Sequence, residues 1–415
     1  MGNSIRPQRA AKARRKRTVK PRKDFPLFRH QTGRWCKKVW GKHRYFGYIA
    51  DDPDGQAALA LWNEQKDLLL NHIEPSKATS GPTVADVCNG FLTHTEKLVQ
   101  AGERASRTLS DYLTVGKRMT EVLGRNQLVA DLTPEDFARL RARFGRTRGP
   151  FALAGDIARV RAMFNWAAED QGIPLPAFGA SFKKPDLRTL RLARASAGPR
   201  MFERSQLWAM LYGTTVKRVA VPGATQPLRT MILLAVNCGL GNADVGRMPL
   251  SCLDLKRGWL DYPRPKTGVA RRCPLWPETV EGIREWLEIR PRGAKADDLV
   301  FLTAKGGSWF RQPKVTDGDD GFEAKGGDSP VSKETAKLLK RLGLHKAGLS
   351  FYSLRRTFRT IASESRDEAA ADAIMGHAPS SSDMASIYRQ RVDDDRLQIV
   401  VNYVHAWLFP RPAVG

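Results

Sequence analysis

Cysteine is scarce in this sequence, and long hydrophobic segments are missing. Five cysteines occur in 415 residues, and no two of them form a Cys-x-x-Cys pair. Because zinc sites and disulfide frameworks use closely spaced cysteines, we expect reduced thiols and no metal site. No apolar run approaches the roughly 20 residues that span a bilayer, and no signal-peptide-like apolar segment follows the basic N-terminus. These absences argue against a membrane-spanning protein.

Acidic residues are also few, since 43 Asp and Glu stand against 69 Lys and Arg. The formal net charge of +26 and the isoelectric point near 10.2 predict a polyanionic partner. Nucleic acid is the first candidate, and an anionic membrane surface is the second. Hydrophobic residues make up 41% of the chain, which argues against wholesale disorder, and 415 residues suit two or three domains.

Residues 1–23 contain ten Lys or Arg and no acid. Like charges at this density repel one another, and few apolar side chains are available for burial. We therefore expect a disordered basic arm that lies along DNA phosphates, with a purely solubilising tail as the alternative. The densest part of this arm is Arg14, Arg15, Lys16 and Arg17.

Two short runs of aromatic and basic residues within residues 24–75 predict a β-hairpin, followed by a helix over about residues 54–71. Lys37 and Lys38 lie in the first run. Basic residues interleaved with aromatic ones on a small sheet suit contact with a nucleic-acid groove. We therefore predict a small N-terminal DNA-binding module, although the aromatic side chains would also serve as a small core.

Apolar residues at helical spacing predict a domain of four helices in residues 82–173, with a basic loop before the fourth helix. For the arginines of that loop, phosphate contact and simple solvation remain equally open. Residues 174–199 show little periodicity and many basic residues, which predicts an interdomain linker. The candidate DNA contacts in these two segments are Arg146, Arg148, Lys183 and Lys184.

The second half, residues 200–415, predicts a β-hairpin among several helices. Arg355 begins one amphipathic run, His377 follows a glycine that ends the next, and Tyr388 comes eleven residues later. Residues 305–330 are rich in Gly, Asp and Lys, with few apolar residues, and predict a surface insertion.

Leu-Arg-Arg-Thr-Phe around Arg355, Gly-His at His377, and then Tyr388 resemble the signature of the tyrosine recombinases, the phage integrase family. Pro-Arg-Pro-Lys-Thr-Gly around Lys266 resembles the β-hairpin lysine of that family. The four residues occur in the family's order over roughly the last half of the chain. The resemblance implies a mainly α fold with small β elements, in which an N-terminal β-hairpin module and a helical core-binding domain precede a mixed α+β catalytic domain.

The resemblance implies an integrase of a mobile element that recombines DNA through a 3′-phosphotyrosyl intermediate, without metal or cofactor. Tyr388 would be the nucleophile, and Arg355 would donate two parallel hydrogen bonds to phosphate oxygens. His377 would hydrogen-bond the phosphate or exchange a proton, and Lys266 would protonate the leaving 5′-oxygen. Each of the four also has a structural interpretation. Tyr388 would be a helix-end tyrosine, Arg355 a member of a core ion pair, His377 a helix cap and Lys266 a solvated lysine.

Two positions depart from the family's pattern. Gly241 stands where the family has its first catalytic arginine, three residues before Asp244, and Tyr352 stands where it has a histidine. Losing one preorganised donor typically costs on the order of 100- to 1000-fold in rate. Arg247 faces another side of the helix and is the candidate substitute. Asp244 and Tyr352 are the other candidate supporting residues.

Three functions remain open from the sequence. The favoured one is an active recombinase that binds double-stranded DNA as a homo-multimer, a tetramer on paired sites, and contacts no membrane. The second is a recombinase-derived protein that binds DNA without cleaving it. The third is an RNA-binding protein, which only the charge suggests. The expected location is a bacterial cytoplasm, in association with the nucleoid.

Overall fold

A computed structural model describes residues 21–22, 24–71, 81–291, 298–318, 321–378 and 391–410. The chain divides into two compact units, one made of Met1–Pro82 and Gln127–Leu132, the other of Thr83–Asn126 and Thr133–Gly415. Helices dominate and every sheet is small and antiparallel, which confirms the predicted fold class. Five predicted functional residues lie outside the described residues: Arg14, Arg15, Lys16, Arg17 and Tyr388.

The first unit contains a three-stranded sheet followed by one helix. Its elements are β1 (Phe28–Arg29), β2 (Arg34–Val39), β3 (Lys42–Tyr48) and α1 (Gln56–Leu70). Strands β2 and β3 form the predicted hairpin, and β1 adds a third strand that the sequence did not predict. The hairpin turn consists of Trp40 and Gly41, both with positive φ, which is the geometry of the two-residue turns that match strand twist.

Alternation along these strands separates a core face from an exposed face. Trp35 is fully buried, packs against Phe25 with ring centroids 5.2 Å apart, and donates its Nε1–H to the carbonyl of Asp52 at 2.7 Å. Phe46 and Trp62 meet edge to face at 5.6 Å and join the sheet to α1. The predicted small core therefore exists, although part of the aromatic set points outward.

The second unit begins with four helices over the predicted core-binding segment. These helices are α2 (Val84–Gln100), α3 (Ser106–Leu123), α4 (Pro134–Gly145) and α5 (Pro150–Gln171). Capping boxes begin α2 and α4, each a threonine that exchanges hydrogen bonds with an aspartate three residues on. Phe137 of α4 forms the centre of an aromatic cluster, with ring centroids 5.7, 4.7 and 5.3 Å from Phe164, Phe178 and Phe182.

The predicted linker contains a helix, α6 (Leu187–Ala197). Asp186 caps its N-terminus by accepting the backbone N–H of Thr189 at 2.6 Å. No residue of α6 is buried. Its many basic residues and the lack of a buried face make this segment resemble a linker, and for that reason the sequence did not predict the helix.

The rest of the second unit is a mixed α+β part. It contains α7 (Arg204–Tyr212), β4 (Thr214–Val216), β5 (Val219–Val221), α8 (Leu228–Asn237), α9 (Asn242–Gly246), β6 (Leu253–Asp254), β7 (Trp259–Asp261), β8 (Arg272–Pro274), α10 (Pro277–Ile289), β9 (Arg311–Gly318), β10 (Gly321–Asp328), α11 (Pro330–Arg341), α12 (Tyr352–Glu364), α13 (Glu368–Met375) and α14 (Asp394–Leu408). Strands β6, β7 and β8 form one sheet.

Helix α8 lies at the centre of this part, because nine of its ten residues are buried. Its last residue, Asn237, accepts the backbone N–H of Trp276 at 2.8 Å and donates to the carbonyl of Pro274 at 3.0 Å, and these bonds join α8 to the end of β8. Helix α14 buries Val400 and Val404 in the same core, so it packs on its own chain, while Ile399 stays exposed.

The predicted surface insertion is a long β-hairpin formed by β9 and β10. It is not wholly on the surface, because Phe322 is only 6% exposed. Phe322 belongs to a buried cluster with Leu92 of α2 and with Leu109 and Leu113 of α3. The insertion therefore joins the mixed part of the second unit to its first helices by an apolar contact.

Candidate active site

The hairpin of β7 and β8 carries the predicted lysine at its tip. Tyr262 and Arg264 extend the strand pairing beyond β7 by donating backbone N–H groups to the carbonyls of Arg271 and Val269, at 3.0 and 2.8 Å. Lys266 lies in the turn that follows and is exposed. The sequence-predicted hairpin is therefore present, with the lysine ammonium free to meet a ligand from solvent.

The tip of this hairpin is tied to the residue before His377. Gly376 ends α13 with a φ of 62°, a left-handed conformation that favours glycine. Its carbonyl accepts hydrogen bonds from Nη1 of Arg264 at 3.3 Å and from Oγ1 of Thr267 at 3.1 Å. The predicted lysine and histidine therefore lie on two loops that are bonded to each other.

His377 is held by an aspartate of the preceding helix. Its Nδ1 lies 2.8 Å from Oδ1 of Asp372. A carboxylate only accepts, so Nδ1 carries a proton and the neutral ring presents its lone pair on Nε2. Burial lowers the pKa of His377, as do the nearby guanidinium groups of Arg355 and Arg264, while the Asp372 hydrogen bond acts in the opposite direction.

Arg355 is buried, with 2% of its surface exposed, and it joins two loops. One Nη atom donates to the carbonyl of Gly239, and the other donates to the carbonyl of Met375 at 2.9 Å. Burial, together with the positive charge of Arg264, lowers the pKa of Arg355 to about 10. A guanidinium that is this poorly solvated gains from an incoming anion.

Gly241 is the N-cap residue of α9, and its backbone N–H donates to Oδ2 of Asp244 at 2.8 Å. The same oxygen lies 3.3 Å from Nη1 of Arg271, a residue that is 3% exposed. A Cβ at Gly241 would meet only ordinary contacts, with Asp244 at 3.4 Å and the Tyr352 ring at 3.6 Å. A Cβ therefore fits at the position of the missing arginine without a steric clash.

The two other candidate supporting residues lie toward solvent. Tyr352 is 44% exposed at the start of α12, and the guanidinium of Arg356 lies 5.5 Å from its ring centroid. Arg247 follows α9, is exposed, and lines a cavity of about 760 Å³ with Arg311 and Lys314 of β9. The lining of this cavity includes neither Arg355 nor His377.

The predicted DNA contacts fall into two groups. Lys38, Arg146, Lys183 and Lys184 are exposed. Lys37 donates to the carbonyl of Pro26 at 3.0 Å and lies 5.4 Å from the Trp62 ring. Arg148 lies 3.3 Å from Asp156, a buried carboxylate that also pairs with Arg118 and Arg159. The side chains of Lys37 and Arg148 therefore have protein partners.

Sequence reasoning missed four residues of this site: Arg264, Thr267, Arg271 and Asp372. The motif around Lys266 was interpreted for its lysine alone. Arginine is almost never buried, so no pattern in the sequence marked Arg271 as a buried side chain. Asp372 lies five residues before the histidine, and only the geometry of the helix end brings the two together.

Among the residues that the structure describes, no group of three His, Cys, Asp or Glu side chains is arranged to hold a metal ion. Within the same part of the chain, every helix is too short or too polar to cross a membrane.

Comparison with known proteins identifies the domain that contains this site. The model of the phage integrase family matches residues 219–394. No curated protein matches the chain. A lambda integrase tetramer bound to a Holliday junction is 18% identical, with 90% of this chain and 98% of that chain covered and a TM-score of 0.51. The Tn1549 transposon integrase with a circular intermediate DNA is 14% identical, with 77% and 94% covered and a TM-score of 0.50.

At these identities the solved structures show a shared fold, and the family model identifies the domain. The matched range includes every residue of the candidate site, from Gly241 to His377, together with Tyr388. Residues 219–394 therefore match the phage integrase family over the segment that contains the candidate site.

Proposed function

We propose that this protein is a site-specific DNA recombinase that cuts and rejoins DNA through a 3′-phosphotyrosyl intermediate at Tyr388. One observation carries the proposal: within the segment that matches the phage integrase family, the Lys266 hairpin is bonded to Gly376, next to His377, and Arg355 bonds Met375 on the same turn. These side chains are of the types that a metal-independent phosphoryl transfer needs.

The proposed chemistry starts with attack of the Tyr388 Oη on the scissile phosphorus, while the hydroxyl proton passes to Nε2 of His377. A tyrosyl–phosphate bond forms, and the bond from phosphorus to the 5′-oxygen breaks with its electron pair on that oxygen. Lys266 donates a proton to the leaving oxygen. Attack by the 5′-hydroxyl of a partner strand on the phosphotyrosine reverses these steps, rejoins DNA and restores the tyrosine.

Arg355 and His377 would bind the phosphate during both steps. The Arg355 guanidinium is already oriented by two backbone carbonyls, so it loses little freedom when it meets a phosphate oxygen. Neutral His377 presents Nε2 as an acceptor, which suits removal of the proton from the attacking hydroxyl or a hydrogen bond to a protonated phosphate oxygen.

The first unit supplies a surface suited to DNA. Trp40, Tyr45 and Tyr48 are exposed on its sheet, where the Arg34 guanidinium lies 4.5 Å from the Tyr48 ring centroid. Lys38 is exposed on the same hairpin. Flat aromatic and cationic side chains on a small sheet suit a DNA groove, and the net charge of +26 favours the phosphate backbone.

Double-stranded DNA is the proposed partner, and a homo-multimer is the proposed active form. The structural neighbours support this, since lambda integrase is a tetramer on a Holliday junction and the Tn1549 integrase is bound to transposon DNA. A protein that binds DNA without cleaving it is the alternative, motivated by Gly241 and Tyr352, and the same experiment separates the two functions.

The experiment captures DNA that becomes covalently attached to the full chain. Duplexes of random sequence carry a nick, so that the short cleaved piece diffuses away and the protein stays linked to the longer strand. Parallel reactions contain EDTA or added Mg²⁺, and the protein is denatured before DNA is recovered and sequenced. We expect a common sequence from the wild type and from Tyr403→Phe, and no recovered DNA from Tyr388→Phe.

Wild-type protein that retains duplex DNA in a binding assay but yields no covalent DNA would contradict the proposed function and favour the non-cleaving alternative. Adducts that vanish with EDTA would contradict the metal-independent mechanism. Equal yields from wild type and Tyr388→Phe would exclude Tyr388 as the nucleophile.

A further inference from the structure

Arg271 is a buried arginine whose guanidinium is only partly satisfied. It lies directly before β8, with 3% of the residue exposed. Its Nε donates to the carbonyl of Tyr262 at 2.8 Å, and its guanidinium lies 4.9 Å from the Tyr262 ring centroid. Nη1 and Nη2 are buried and make no hydrogen bond within the part of the chain that the structure describes.

Two buried nitrogens carry up to four N–H donors, and leaving such donors without acceptors is costly. Among the described residues, the carboxylate paired with them is that of Asp244, at 3.3 Å from Nη1. That carboxylate is shared, because its Oδ2 already accepts the backbone N–H of Gly241. The unsatisfied donors of Arg271 thus point to an anion that is bound during function.

Arg271 occupies the neighbourhood of the missing arginine. Its Nη1 and the Gly241 backbone contact the same Asp244 oxygen. At the other end, a Cβ on Gly376 would lie 2.8 Å from Cγ of Arg271, so the two residues are in close contact. The side chain of Arg271 therefore lies between the loop of Gly241 and the loop that carries His377.

Arg355 joins the same two loops. It donates to the carbonyl of Gly239, two residues before Gly241, and to the carbonyl of Met375, one residue before Gly376. The charge of Arg271 also lowers the pKa of Arg355, as expected for two guanidinium groups that lie close together. An anionic group that lies between the two guanidinium groups would reduce their mutual repulsion.

We propose that Arg271 is a catalytic residue that, with Arg355, binds the non-bridging oxygens of the scissile phosphate and replaces the arginine that is absent at Gly241. The proposal rests on the proposed function. The other nearby arginines fit this role less well, because Arg264 is bonded to the Gly376 carbonyl and Arg247 lines a cavity that includes no other residue of this site.

The test measures the rate of covalent adduct formation on the site recovered by the capture experiment. We expect Arg271→Ala to be slower by on the order of 100- to 1000-fold, the typical cost of losing one preorganised donor. Arg271→Lys keeps a positive charge beside Asp244 but lacks the forked donors, so we expect an intermediate loss. Arg272→Ala is the matched control, since Arg272 is exposed and pairs with Asp261 and Asp394.

Two further readouts separate charge neutralisation from a structural role. On a substrate whose scissile phosphate is a neutral methylphosphonate, the deficit of Arg271→Ala should shrink to about tenfold or less, because less charge needs stabilisation. The double variant Gly241→Arg with Arg271→Ala should recover at least about tenfold over the single variant. The Gly241 backbone is extended, and a Cβ fits there without a steric clash.

The outcomes distinguish this inference from the proposed function. A wild type without any adduct overturns both. An active wild type with an Arg271→Ala variant that cleaves within about threefold of it, or with an equal deficit on phosphate and methylphosphonate and no recovery by Gly241→Arg, overturns the role of Arg271 alone. Thermal unfolding of each variant identifies any that has lost its fold, and Arg271→Lys then carries the comparison.

Discussion

Two β-hairpins of the second unit are both antiparallel strand pairs, but they have different roles. The β7–β8 hairpin has strands of three residues, buries Leu260 and Cys273 in the main core, and fixes its tip to Gly376. The β9–β10 hairpin has strands of eight residues and reaches the first helices of the unit through Phe322. The short hairpin positions exposed chemical groups beside buried arginines, whereas the long one supplies an apolar contact between distant segments.

The comparison of the two hairpins indicates that the side chains around a hairpin determine its role. Both hairpins carry exposed lysines, Lys266 near one tip and Lys325 on the other strand pair. Only the first lysine has neighbours that bond the turn of His377.

Lys266→Ala should slow covalent adduct formation by about 100- to 10,000-fold, the range that general acid catalysis contributes. Lys325→Ala is the control and should leave the rate nearly unchanged, because Lys325 pairs with Glu323 at the surface. The measurement is single-turnover cleavage of the recovered site. A substrate with a 5′-bridging sulfur, whose leaving thiolate needs no proton, should restore most of the Lys266→Ala rate. Equal losses for the two lysines would remove the contrast.

Phe322→Ala should release the β9–β10 hairpin from α2 and α3. Truncating a buried phenylalanine costs about 3 kcal/mol when the site cannot collapse, and the loss should appear as faster amide hydrogen exchange in β9 and β10. The β7–β8 hairpin should keep its protection, since its contacts lie in another cluster. Val219→Ala, at an exposed position of β5, should change neither. Unchanged exchange in β9 and β10 would show that Phe322 does not anchor this hairpin.

Protonation of His377 should make the free energy of unfolding depend weakly on pH. Its pKa in the folded chain lies below the ordinary value of about 6.5, so the unfolded chain binds a proton first as pH falls. The contribution of His377 to the free energy of unfolding is therefore complete above about pH 6.5 and is lost as pH falls through the folded pKa. The loss should be smaller in His377→Gln.

Titration of the His377 ring by NMR gives the direct measurement of this pKa. We expect a midpoint below 6.5 in the wild type and a still lower midpoint in Asp372→Asn, because the Asp372 hydrogen bond raises the pKa. A wild-type midpoint above 6.5, or a rise in Asp372→Asn, would contradict the account.

Local patterns made much of this fold predictable. The glycine before His377 predicted the end of α13, which Gly376 terminates in the left-handed conformation. The segments on either side of Lys266 predicted the β7–β8 hairpin. In each case the residues that determine the structure are neighbours in the sequence.

Features that depend on distant contacts were not predictable. The β9–β10 strands contain Gly, Asp and Lys, which are poor strand formers, and one phenylalanine that packs on helices about two hundred residues earlier. Burial of Arg271 depends on Asp244, Tyr262 and Gly376, which lie on three segments that are far apart in the sequence. The domain boundaries near residues 173 and 199 remain predictions.

Mapping the DNA attachment on the recovered adduct tests directly whether Tyr388 is the nucleophile. Nuclease and protease digestion should leave a peptide that carries a nucleotide remnant, and mass spectrometry identifies the modified residue. The account predicts a nucleotide joined through its 3′-phosphate to Tyr388. A remnant on another residue, a remnant joined through a 5′-phosphate, or adducts without any nucleotide-bearing peptide would contradict it.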